Sequence, residues 1–248
     1  MRLVIDIGNT RVKAALFKQN ELKHFFVFSN MLDLFHSKIL ESYSIEYAIL
    51  VTVVNNIDAQ ISRLRKYFPV MEYSVYTDIP IKNLYASVDT LGGDRLIGAV
   101  AANHLYPHTN ILMIDAGTCI KYNFVNKNNE FVGGAISPGI RMRFKALNTF
   151  TSRLPLLDFD DTYDILIGTT SSENMLSGVE LGAVAEINGF IQQYEGLFPD
   201  LKVVLTGGDA PFFEKHIKRT IFADPYLILN GLNIVLEYNL RKNAENQI

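Results

Sequence analysis

Apolar residues fall into short continuous runs separated by polar turns, and the runs come in two similar sets. Leu3 to Ile7 is an uninterrupted β-rich run, the pattern of a strand covered on both faces. Val12 to Lys18 predicts a second strand. The turn residues Gln19, Asn20 and Glu21 lead to a third at Leu22 to Phe28. Asn30 is placed to cap a helix through about Tyr43, with Leu32, Phe35, Ile39 and Leu40 on one side. Tyr47 to Val53 reads as a buried strand, Asp58 to Phe68 as a helix stopped by Pro69, and Val70 to Tyr76 as a strand. The order βββαβαβ predicts a mixed sheet with helices against it. Residues 77 to 92 form a long connection of the kind that carries function. Gly92-Gly93-Asp94-Arg95 ends it and opens a helix from Leu96 to about Tyr106.

The second half repeats the plan. Strands are expected at Asn110 to Ile114 and Cys119 to Val125, with a turn at Asn126 to Asn129. A third strand begins at Glu130 and runs into Gly133-Gly134-Ala135-Ile136-Ser137-Pro138-Gly139, followed by a helix from Ile140 to about Thr151. The stretch holding Asp158, Asp160, Asp161 and Asp164 lacks the glycine and terminal glutamate of a calcium loop and reads as a solvated segment. Thr170 and Glu173 have capping-box spacing for a long helix to about Phe198. Lys202 to Leu205 is a strand ending in Thr206-Gly207-Gly208-Asp209, and Ala223-Asp224-Pro225 introduces a last helix to about Leu240. The boundary falls near Pro107 to Asn110, which gives lobes 1–109 and 110–248.

Composition narrows the possibilities. The chain has 248 residues, 48% hydrophobic and 20% charged, an ordinary globular mix of two-domain size. A formal charge of −3 without a Lys/Arg run argues against a nucleic-acid partner. No apolar run is long enough for a membrane span, and no signal segment opens the sequence, so a cytoplasmic protein is expected. The lone Cys119 has no internal disulfide partner and reads as packing, and the five histidines make no metal-spaced pair.

The candidate chemistry lies in two matching stretches, LVIDIGNTRVK at 3–13 and LMIDAGTCIK at 112–121. Allowing one extra residue, Asn9, each reads apolar run, Asp, small residue, Gly, Thr, variable, apolar, Lys. Gly8 and Gly117 let backbone approach phosphate oxygens, and Thr10 and Thr118 offer hydroxyl donors. Asp6 can hold Mg²⁺ directly or through water. Lys13 suits either a phosphate or solvent. One such turn is an ordinary strand end; two in step point to a two-lobed phosphoryl-transfer enzyme with a nucleotide between the lobes. Asp94, at a glycine-rich helix start, is a candidate proton acceptor or a simple cap. Arg95 has the forked donors for a carboxylate. Tyr85 could touch substrate or pack on its lobe. Gly207 and Gly208 could admit a nucleoside or merely turn the chain.

The ordered set DIGNTRVK at 6–13, Tyr85, GGDR at 92–95, DAGT at 115–118, GGAISPGI at 133–140 and TGGDA at 206–210 resembles the type III pantothenate kinases of the actin, sugar-kinase and heat-shock-chaperone superfamily. The resemblance implies an α/β fold of two duplicated ribonuclease H-like (actin-like ATPase) lobes, mixed sheets flanked by helices. It implies transfer of phosphate from ATP to the primary hydroxyl of pantothenate, the first step towards coenzyme A. Residues 6–13 (Asp6, Ile7, Gly8, Asn9, Thr10, Arg11, Val12 and Lys13), Thr118, Gly207 and Gly208 would serve ATP. Asp6 would hold Mg²⁺, and Asp115 a monovalent cation, K⁺ or ammonium. Asp94 would accept the proton. Tyr85, Gly92, Gly93, Asp94 and Arg95 would form the acceptor site with a hydroxyl from Thr170 or Ser171, and the protein would be a homodimer. The sequence departs from the family's pattern in ASVDTL after Tyr85 and in placing Ser171 where the family has threonine. The alternatives are a kinase of another small alcohol or sugar, and a non-catalytic nucleotide-binding regulator on the same fold.

Overall fold

The computed structural model describes residues 1–246, which divide into two compact units. The first contains Met1–Leu105 and the chain from Tyr226 onward; the second is Tyr106–Pro225. In the first unit, β1 (Arg2–Ile7), β2 (Val12–Lys18) and β3 (Glu21–Phe28) form an antiparallel meander. α1 (Met31–His36) and α2 (Ile39–Ser42) precede β4 (Tyr47–Thr52), and α3 (Asp58–Leu64) precedes β5 (Val70–Glu72). The sheet order is β3-β2-β1-β4-β5, with β4 parallel to both β1 and β5. A short strand β6 (Lys82–Asn83) and a 3₁₀ turn (Val88–Thr90) precede α4 (Gly93–Leu105).

The second unit repeats this order. β7 (Ile111–Ala116), β8 (Cys119–Asn126) and β9 (Glu130–Pro138) are the meander, and β10 (Lys202–Thr206) and β11 (Phe222–Ala223) the parallel strands. Its strands run β11-β10-β7-β8-β9. Between them lie α5 (Ile140–Phe150), α6 (Ser171–Leu176), a π turn (Ser177–Leu181), α7 (Gly182–Leu197) and α8 (Ala210–His216). Each unit has its own core: Leu3, Ile5, Leu16, Leu34, Leu50 and Leu64 in one, Leu112, Ile114, Tyr122, Phe144, Ile187 and Phe213 in the other.

The lobe boundary differs from expectation. The last helix, α9 (Leu227–Glu245), belongs to the first unit, not to a lobe running 110–248. Gly231 permits this packing, because a Cβ there would lie 2.3 Å from the Ile97 carbonyl oxygen on α4. Asn233 Nδ2 also donates to the Gln19 carbonyl at 3.0 Å, and Arg2 pairs with Glu237 at 3.4 Å. Other differences are local. The helix expected over 30–43 breaks at Lys38, whose φ is 60°. Asn30 caps its first part by accepting from the Leu32 and Asp33 N–H groups. The strand expected to Tyr76 ends at Glu72, because Ser74 N–H donates to Thr77 Oγ1 and turns the chain. Among the described residues no helix is long and apolar enough to cross a membrane.

The π turn buries Glu180 completely. Its Oε1 accepts from the Asp160 N–H at 3.0 Å, and this ties the acidic segment to the helix. Burial, with the Asp160 and Asp161 charges adding to it, pushes this carboxyl from 4.5 up to about 7.

Two outcomes follow. Gly231→Ala should lower stability by about 1–3 kcal/mol, through overpacking against Ile97, in urea unfolding. The native state holds the Glu180 proton more tightly than the unfolded chain, so this contribution is present below pH 4.5 and is lost as pH rises through about 7. The urea midpoint of the wild type should therefore fall over that window more steeply than that of Glu180→Gln.

Candidate active site

The first turn is built by strand register. β1 and β2 pair so that Asp6 stands directly opposite Lys13 and Ile7 opposite Val12. Between them the Gly8 N–H donates to the Arg11 carbonyl at 3.1 Å, closing the turn. Asn9, Thr10 and Arg11 are exposed on it. Ile7 and Val12 are core side chains, so only their backbone could serve a ligand. A strand-end carboxylate such as Asp6 suits Mg²⁺ held mostly by water and phosphate oxygens. Among the described residues no group of three or more His, Cys, Asp or Glu could hold a metal ion.

At the GGDR stretch the first unit brings together residues expected on the acceptor side. Asp94 is the second residue of α4, not the one before it. Its Oδ1 accepts from the adjacent Arg95 N–H at 2.9 Å, which is not the N-cap pattern of bonding two or three residues ahead. A Cβ on Gly92 would lie 2.7 Å from the same Oδ1, so glycine lets the Asp94 side chain fold back. Arg95 is 5% exposed, and its guanidinium lies 5.3 Å from the centroid of the Tyr85 ring. Tyr85 is fixed in turn by its N–H donating to Asn83 Oδ1 at 3.0 Å.

Tyr73 is a member of this group that the sequence did not single out. Its ring lies 3.0 Å from where a Gly93 Cβ would be. Its buried hydroxyl has no hydrogen-bond partner among the described residues. Burial, and then the Asp94 charge, raises its pKa well above the usual phenol range. It sits just past β5 but inside the run 70–76 expected to be a strand, so a pattern-based reading sees only a strand position.

In the second unit the Gly117 N–H donates to the Cys119 carbonyl at 3.0 Å, the counterpart of the Gly8 closure. Thr118 is exposed at the tip. Two further segments are pinned to this turn. The Gly139 N–H donates to the Thr118 carbonyl at 3.1 Å, and the Asp209 N–H to the Ala116 carbonyl at 2.9 Å. Gly139 and Gly207 must be glycine: a Cβ would lie 2.0 Å from the Gly117 oxygen and 2.2 Å from the Ala116 oxygen respectively, and Gly207 has φ +101°. Gly117 and Gly208 are different, since a Cβ at either meets nothing within 4 Å. Packing does not require these two to be bare.

Asp115, expected to hold a monovalent cation, is already paired: Lys121 Nζ lies 2.6 Å from its Oδ2. Buried Asp209 pairs with Arg141 at 2.7 Å. Behind the β9–α5 corner, Glu186 accepts from Tyr122 (2.9 Å), Ser137 (2.5 Å) and Arg143 (2.6 Å). Burial pushes the Glu186 carboxyl up, but these donors outweigh it and hold the pKa below the ordinary value. Arg143 Nε also donates to the Pro138 carbonyl at 2.8 Å, so the network fixes the segment that presents Gly139.

Thr170 and Ser171 open α6, in the second unit, whereas Tyr85, Asp94 and Arg95 belong to the first. Thr170 Oγ1 accepts from the Glu173 N–H at 3.2 Å, and the Thr170 N–H donates to Glu173 Oε2 at 3.1 Å. Thr170 is thus occupied as the helix cap, while Ser171 is exposed at the first helical position.

Among solved structures, a chain described as a Baf family transcriptional activator from Campylobacter jejuni superposes with a TM-score of 0.64 at 21% identity, covering 96% of this chain and 99% of its own. A ROK family protein from Streptococcus pneumoniae TIGR4 in complex with sucrose gives 0.55 at 13% identity, with coverage of 97% and 99%. These likenesses, with the repeated sheet order and a glycine-closed acidic turn in each unit, define the class: an actin-like ATPase fold of the sugar-kinase kind. A profile described as type III pantothenate kinase matches residues 2–193. Type III pantothenate kinases from Flavobacterium johnsoniae and Phocaeicola vulgatus are 40% and 42% identical, covering 97% and 96% of this chain and 99% of each relative. The chain belongs to the type III pantothenate kinase family.

The two kinds of glycine make a testable pair. Gly139→Ala should lose about 1–3 kcal/mol of stability by overpacking. Gly117→Ala should unfold like the wild type or slightly later, yet bind Mg·AMP-PNP more weakly by calorimetry.

Proposed function

We propose that this protein transfers the γ-phosphoryl group of ATP to the primary hydroxyl of pantothenate, giving 4′-phosphopantothenate, the first step towards coenzyme A. The observation that carries the reading is the Tyr85–Asp94–Arg95 group, in a chain of this family. Phosphoryl transfer asks little covalent chemistry of the protein. It needs alignment, charge neutralisation and somewhere for the hydroxyl proton to go. Asp94 accepts that proton as the phosphorus–oxygen bond forms and ADP leaves. Arg95 holds the pantothenate carboxylate with its forked donors, and its orientation is set by packing over Tyr85. Ser171 supplies a hydroxyl to the acceptor, because Thr170 is used as a cap.

Thr10 and Thr118 donate to phosphate oxygens, and Asp6 holds Mg²⁺, which neutralises charge on the triphosphate. The backbone at Gly8, Asn9, Arg11 and Lys13 lines the first turn, with Gly207 and Gly208 beside the nucleoside. The resemblance also implies K⁺ or ammonium at Asp115, where the Lys121 ammonium lies, so that ion is not part of this reading. The protein works as a homodimer in the cytoplasm, where its two substrates occur.

With ATP and Mg²⁺ the purified protein should convert pantothenate, and not a panel of hexoses, to a monophosphate seen by mass spectrometry. Asp94→Asn should lose about 10²–10⁴-fold in kcat while Mg·AMP-PNP binding is nearly unchanged. Full turnover by that variant removes Asp94 from its role.

A further inference from the structure

The ion pair at the second turn has features that an ordinary surface bridge lacks. Asp115 and Lys121 are direct cross-strand partners on β7 and β8. Their side chains are only 15% and 19% exposed, so water screens the 2.6 Å contact poorly. The other carboxylate oxygen, Oδ1, faces the turn after β10, where a Cβ at Gly207 would come within 2.6 Å of it. One oxygen therefore meets an ammonium, and the other faces a turn position kept as glycine. A free monovalent cation at Asp115 would have to sit beside the Lys121 charge, which repels it, or displace a tethered ammonium from a mostly covered carboxylate. The residues present do not fit a bound K⁺ here.

We propose that Lys121 is the chain's own monovalent cation. Its ammonium, held by Asp115, supplies beside the Gly117–Thr118 turn the positive charge that a bound K⁺ or ammonium ion would otherwise provide to the phosphates. The enzyme then needs Mg²⁺ but no added monovalent ion. Lys121 is not spent in the reaction and passes no proton; its part is electrostatic. The inference rests on the kinase reading, so its test is arranged to separate the two.

Phosphopantothenate formation and Mg·AMP-PNP affinity are measured on the full chain at a constant ionic strength of about 0.1 M, set with tetramethylammonium chloride or with KCl or NH₄Cl. The wild type should give the same rate and affinity in all three salts. Lys121→Thr should lose about 100-fold or more in tetramethylammonium, as when one preorganised charge donor is removed, and regain much of it in KCl or NH₄Cl. Its AMP-PNP affinity should become K⁺-dependent in parallel. Stimulation of the wild type by K⁺, in rate and in AMP-PNP affinity, overturns the proposal, as does a Lys121→Thr enzyme with wild-type activity in tetramethylammonium. If the variant fails to fold by circular dichroism, the salt response of the wild type decides alone. If no salt yields phosphopantothenate, the kinase reading falls, and the calorimetric comparison still decides the role of Lys121.

Discussion

Antiparallel pairing across a tight, glycine-closed turn is the constraint on which this molecule depends. In β1–β2 and again in β7–β8, register puts an aspartate near the end of one strand opposite a lysine near the start of the next. The turn between them spends the glycine N–H on its own closure, at 3.1 Å in the first copy and 3.0 Å in the second. The acid, the threonine at the tip and the adjoining backbone are thereby fixed together with few freedoms left to lose. A register slip of one residue would turn the acid to the opposite face of the sheet and abolish the arrangement. Preorganisation of this kind is what phosphoryl transfer requires of a protein, since the chemistry is chiefly placement and charge.

The two copies are not equivalent in their surroundings. Around the second, the Gly139 and Gly207 segments are bonded directly to the turn, and the Glu186 network holds one of them from behind. Its carboxylate, Asp115, is engaged by Lys121. The unit of the first copy also carries the GGDR helix start, where glycine at 92 lets Asp94 fold back onto the Arg95 N–H. The same turn pattern thus recurs in two settings, beside a covered Asp115–Lys121 pair in the second unit and together with the GGDR helix start in the first.

Much of this was legible in the sequence because the signals are local. The capping box at Thr170 and Glu173, the Asn30 cap and the paired meanders all arise from residues a few positions apart, and they occur in the structure as the pattern predicts. What the sequence hid depends on contacts distant in the chain. The last helix follows the second unit in sequence yet packs on the first, because Gly231 matches Ile97, far upstream. Tyr73 lies beside Gly93 and the Asp94 charge, which come well further along the chain, and the strand pattern read over 70–76 gives no sign of that contact. The Asp115–Lys121 pair lay within the motif itself, but its meaning needed the register: only opposite one another, and covered, do the two charges become a unit. α8 was missed although Pro211 marks its first turn, because seven residues between two turn-rich stretches give too little periodicity to detect.

The central proposal is that the Thr10 turn and the Thr118 turn each serve the phosphates of ATP. It is tested most directly by following the backbone amide signals of Thr10 and Thr118 in the ¹⁵N-labelled protein while Mg·AMP-PNP is added. Both signals should shift along one saturation curve, with a common dissociation constant. Saturating binding that moves one signal and leaves the other in place would contradict it.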